Sequence, residues 1–140
     1  MKWVYRECQY GDVIRVKLGS VYHYGIFASE DEVIAFGLPP TAENLKNQQD
    51  IKVLATDIDV FSCGNPVEVA QLTLKEKRKR QSPDKTVSAA RARIGEGGYN
   101  LIHNNCEHFV NEIVFGKKIS EQELEVRRKW MRFHENKEGL

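Results

Sequence analysis

The sequence predicts an α+β fold in which a mostly antiparallel sheet packs against helices. Three observations carry this. Alternating, β-branched and aromatic runs crowd the first half of the chain. Helical apolar stripes with caps crowd the second half. Turn signals, rather than long crossovers, separate the early runs. At 140 residues, 41% of them hydrophobic, the chain suits a single core without disulfides.

"GDVIRVKLG" opens at a Gly11-Asp12 turn, and Ile14, Val16 and Leu18 then alternate with Arg15 and Lys17, the pattern of a half-buried strand. "SVYHYGIFAS" is rich in strand formers, with Val21, His23, Gly25 and Phe27 on one face and Tyr22, Tyr24 and Ile26 on the other. "SEDE" reads as a turn and "EVIAFGL" as a third strand, making 12–38 an antiparallel meander. Residues 41–50 read as irregular, "IKVL" at 51–54 as a short strand and "VEVAQLTL" as another. "KEKRKRQ" reads as a solvated loop or turn.

Ser82-Pro83-Asp84 starts a helix that Gly95 stops, with Val87, Ala90 and Ile94 as its apolar stripe. "NCEHFVNEIVFG" is a second helix, with Asn105 as N-cap, Gly116 beyond its end, and Phe109, Val110, Ile113 and Val114 facing inward. "SEQELEVRRKWMRFHENK" reads as a third, with Ser120 and Glu123 as a capping box.

The net charge of +1 provides no field for nucleic acid. Cys8, Cys63 and Cys106 form no CxxC pair, which points to free thiols in a reducing compartment. There is no signal-peptide pattern and no apolar run near the roughly 18 residues of a spanning helix, so a cytoplasmic protein is expected.

Cys106 stands out among the thiols. With Asn105 as cap, it occupies the first helical position, where unpaired N–H groups and the helix dipole favour thiolate. The same N–H groups suit an oxyanion. The competing reading of any lone cysteine is a small core residue, and that reading suits Cys8 and Cys63. A zinc site from His103, Cys106 and His108 has the wrong spacing. A thiol nucleophile wants a base. His134 sits in a charged helix, His103 precedes the cysteine helix, and His108 points away from the thiol two residues on. His23 lies mid-strand, and both a core role and a base role stand for it.

"GDVIRVKLGSVYHYGIF", "EVIAFG" and "GGYNLIHNNCEHFVNEIVFGK" together resemble the lecithin retinol acyltransferase (LRAT)-like family, with its phospholipase/acyltransferase members, over about residues 10–117. That family is a circularly permuted branch of the NlpC/P60 thiol hydrolases. The resemblance implies a permuted papain-like fold, with a catalytic domain at 1–117 and a C-terminal helix at 118–140. It implies Cys106 as nucleophile, His23 as general base and acid, Asn105 and Cys106 in the oxyanion region, and an acyl-bearing small molecule or lipid as substrate. No cofactor or metal is implied. The family pattern has a third polar residue where this chain has Ala35. Either another group orients His23, or catalysis is weakened and the fold serves binding. The wider superfamily adds a further alternative, peptide cleavage. The basic residues Lys75, Lys77, Arg78, Lys79 and Arg80 have docking on an anionic membrane as the alternative to a solvated segment.

Overall fold

The computed structural model describes residues 1–100 and 105–116. His103, His134 and the whole helix expected from Ser120 lie outside the described residues, as does the segment 118–140.

Six strands form one antiparallel sheet: β1 (Lys2–Val4), β2 (Asp12–Leu18), β3 (Val21–Ser29), β4 (Glu32–Phe36), β5 (Val53–Thr56) and β6 (Val67–Gln71). Their spatial order is β1-β6-β2-β3-β4-β5. The predicted meander is β2-β3-β4. Four α-helices and a short 3-10 helix (Gln48–Asp50) complete the described fold, the α-helices being α1 (Ile58–Ser62), α2 (Leu74–Lys79), α3 (Pro83–Ala92) and α4 (Cys106–Phe115). The α+β architecture expected from the sequence is therefore present.

The pleat divides the sheet's residues between two layers. One layer packs Val13, Ile26, Ile34, Phe36 and Ala70 against Val87 and Ala90 of α3 and Cys106, Phe109, Val110, Ile113 and Val114 of α4. The other packs Ile14, Val16, Phe27, Val33, Ala35 and Val69 around Phe61 of α1. Because β2 has buried residues on both faces, its alternation is not the one-sided pattern expected. Gly25 is required by the second layer. A Cβ there would come within 2.7 Å of the Phe61 ring.

Three elements differ from the sequence reading. β1 and α1 are short, three and five residues, and were not anticipated. The basic run is not a loop but helix α2. Thr73 caps it, accepting from the Glu76 N–H while the Glu76 carboxylate accepts from the Thr73 N–H. Arg80 is part of the fold rather than a free surface charge: its guanidinium donates to the Gly11 carbonyl and to Thr86 Oγ1, each at 3.0 Å. On α3, Ile94 falls beyond the helix and is exposed, and the buried Thr86 joins Val87 and Ala90. α4 matches expectation, with Gly116 closing it in the left-handed conformation that glycine adopts at little cost.

Candidate active site

The site is built where the N-terminus of α4 meets β3. Asn105 adopts an extended conformation and its Oδ1 accepts from the N–H groups of Glu107 and His108, at 3.0 and 3.2 Å. This cap fixes the first turn and with it Cys106, which is 5% exposed. His108 completes a capping box: the Asn105 N–H donates to its Nδ1 at 3.3 Å. The buried His108 ring thereby helps hold the turn.

Cys106 Sγ lies 3.8 Å from the Tyr22 carbonyl, to which the thiol donates. Backbone N–H groups of Tyr24, Cys106 and Glu107 act on the sulfur in the direction that favours thiolate. Burial nonetheless outweighs them and pushes the thiol up to about 11. The lowered pKa expected from the helix start is therefore not what this arrangement produces. The desolvation of a buried anion exceeds what the helix end returns.

The thiol borders a cleft of about 260 Å³ lined by Ser20, Val21, Tyr22, Tyr24, Pro40, Leu45, Tyr99 and Asn105 as well as Cys106. Its walls are mostly apolar or aromatic. Burial, and next the proximity of Cys106, push the Tyr99 hydroxyl up to about 12. Burial followed by the Glu107 carboxylate raises Tyr24. Both phenols thus stay protonated beside the thiol near neutral pH. Sequence reasoning named Cys106 and Asn105 but missed Tyr22, Tyr24, Pro40, Leu45 and Tyr99. The two tyrosines had a signal in their shared strand face.

His23 is not brought to this cleft. The β2-β3 register pairs Val16 with His23 and Arg15 with Tyr24, so His23 shares a face with Val16 and the tyrosines share the opposite one. The His23 ring stacks on Phe61 at 4.6 Å between centroids, in the layer that faces away from α4. It is 1% exposed, and among the described residues its Nδ1 has no hydrogen-bond partner. Burial lowers its pKa to about 3. The expectation that the imidazole lies beside the thiol is not met in this arrangement. Tyr22 and Tyr24 project to the thiol's side, and between them β3 turns His23 to the other. Ala35, 2% exposed, lies in the same layer as Phe61. Cys8 is half-buried beside that layer, whereas Cys63 is exposed and so is not the core residue expected. Among the described residues no group of His, Cys, Asp and Glu gathers as metal ligands.

The family described as lecithin retinol acyltransferase matches residues 6–119. Curated relatives include the lecithin retinol acyltransferases of Mus musculus, 29% identical over 131 residues, and of Homo sapiens, 27% identical over 130. In both cases the match covers 80% of this chain and 56% of the relative. The chain thus spans little more than half the length of these relatives. A family match across most of the chain, with the asparagine-capped cysteine helix set against the antiparallel sheet, places the protein: it belongs to the lecithin retinol acyltransferase family.

Proposed function

We propose that the protein transfers an acyl group from a lipid ester through Cys106 to an acceptor or to water. The supporting observation is the thiol on the wall of a mostly apolar cleft at the start of α4. In the first step Sγ attacks the ester carbonyl. An S–C bond forms, the ester C–O bond breaks, the thiol proton leaves and the alcohol departs with a proton. The Asn105 cap takes the N–H groups of Glu107 and His108, which leaves the Cys106 N–H as the helix-start donor for the developing oxyanion. The acceptor hydroxyl or water then cleaves the thioester and restores the thiol.

The resemblance assigns the proton transfers to His23. With its ring on Phe61, that role requires the 21–25 segment to turn the imidazole to the cleft side. A thiol held near 11 and an imidazole held near 3 make no thiolate–imidazolium pair, which suits a resting state with the base disengaged. A second reading follows from the same facts. Ala35 and the His23 placement favour a lipid-binding protein with slowed or lost turnover. Release of lysolipid or free fatty acid from phospholipid vesicles distinguishes the two. Turnover that disappears in Cys106→Ser supports transfer, whereas saturable lipid binding without turnover supports binding alone.

No helix among the described residues is long and apolar enough to cross a membrane. Peripheral contact through Lys75, Lys77, Arg78 and Lys79 belongs to this proposal, without Arg80. The Gln81 N–H donates to the Val114 carbonyl, which brings the chain just after α2 to the far end of α4. That end is roughly 12 Å along the helix from Cys106. Such a contact tethers the protein without presenting the cleft directly.

A further inference from the structure

Trp3, Arg15, Tyr22, Tyr24 and Glu68 form a connected group on the α4 side of the sheet. The strand registers pair Arg15 with Glu68 on one side and with Tyr24 on the other, so the three occupy one cross-strand row. The Arg15 guanidinium lies 4.2 Å from the centre of the Trp3 ring and 3.9 Å from that of Tyr22. Its Nε bonds the Glu68 carboxylate at 2.5 Å, which fixes the plane of the guanidinium. Trp3 also meets Tyr24 edge-on at 5.8 Å, and the two tyrosine rings lie 6.2 Å apart. These tyrosines form one wall of the cleft beside Cys106, and the Tyr22 carbonyl accepts from its thiol.

We propose that Arg15 is a positioning residue: stacked against Trp3 and Tyr22 and held by Glu68, it fixes the tyrosine wall and so sets the width of the cleft at Cys106. A planar guanidinium can stack on aromatic faces while its edge bonds a carboxylate, and a lysine ammonium cannot. β1 is three residues long and meets only β6 in the sheet, so the contacts with Arg15 and Tyr24 are what join its Trp3 to β2 and β3. The inference rests on the reading that acyl groups reach Cys106 through this cleft, but its test does not need turnover.

The test compares Cys106 modification by a small maleimide, N-ethylmaleimide, with that by a bulky one, fluorescein maleimide. The exposed Cys63 of the same molecule serves as reference. The wild-type protein discriminates against the bulky reagent at Cys106. Arg15→Lys and Trp3→Leu raise the bulky-to-small ratio at Cys106 by at least about twofold, the lower end of a cation–π contribution. Trp3→Phe, which keeps an aromatic face, leaves the ratio near wild type. Circular dichroism confirms that each variant is folded. If Arg15→Lys does not fold, the Trp3→Leu and Trp3→Phe pair decides. An unchanged ratio in folded Trp3→Leu, or equal ratios in both Trp3 variants, overturns the inference. With a phospholipid donor, Arg15→Lys raises KM more than it lowers kcat. Absent acyl transfer by wild type, with size discrimination intact, counts against the proposed activity and leaves the positioning role standing.

Discussion

His23 and Cys106 lie on opposite faces of one sheet. The imidazole is stacked on Phe61, and the thiol is bonded to the carbonyl of the adjacent residue, Tyr22. Only a peptide unit separates the strand atoms that meet the two groups, yet the pleat sends them into different layers. The consequences for reactivity, stability and repair of the Ala35 position follow from that arrangement.

Cys106 alkylation is expected to be slow near neutral pH and to climb about tenfold per pH unit from 8 towards 10, because burial holds the thiol near 11. Cys63, exposed at the end of α1, labels faster at pH 7.5. Competitive iodoacetamide labelling with peptide mapping across pH checks this. A plateau for Cys106 below pH 8 contradicts it.

Stability is expected to fall as the medium is acidified below about 6.5. Burial lowers the His23 pKa to about 3. Between those values the unfolded chain binds a proton that the folded chain refuses, so acid favours unfolding. Above 6.5 the contribution is complete and constant. From pH 7 to pH 5 this one group costs up to about 2 kcal/mol. Urea unfolding of wild type and His23→Phe at both pH values isolates it. The substitution also removes a buried nitrogen that has no partner among the described residues, so the variant is expected to lose less stability on acidification. Identical losses contradict the burial of His23.

Ala35→His is expected to destabilise the protein and to leave any acyl transfer unimproved. Ala35 shares the Phe61 layer, where Val33 and Phe61 also approach Gly25 closely, so an imidazole there is overpacked and on the face away from Cys106. The cost is about 1–3 kcal/mol, read from urea midpoints. A gain in turnover means that α4 and the His23 face meet in the working protein.

Much of this was legible in the sequence, and the failures have physical causes. β2, β3, β4, α3 and α4 announced themselves through strand alternation, Ser82-Pro83, Asn105 and Gly116. β1 and α1 are too short to show a period, and their residues are fixed by tertiary contacts, Trp3 with Arg15 and Phe61 with His23. α2 did carry a signal in Thr73 and Glu76, which the run of charges obscured. Cys106 was singled out by its place after the Asn105 cap and by the family resemblance, and the structure puts it at that helix start. The faces of β3 were sorted correctly, but periodicity cannot say which face receives α4. That is why the tyrosines, rather than His23, border the thiol. Arg15 read as a solvent-facing partner of Ile14, because its partners Trp3, Tyr22 and Glu68 come from three other strands, which the period of its own strand does not reveal.

Cys106→Ser is expected to change stability by less than about 1 kcal/mol, since one oxygen replaces one sulfur at a capped helix start. Thermal unfolding checks this. A larger loss makes the cysteine a packing residue first.

Acyl capture by Cys106 is most directly tested by intact-protein mass spectrometry after incubation with vesicles of a phospholipid bearing one defined acyl chain, quenched in acid. The predicted result is a single adduct of that acyl mass, removed by hydroxylamine, mapped to Cys106 and absent from Cys106→Ser. Turnover without an adduct at Cys106, persisting in Cys106→Ser, would contradict the account.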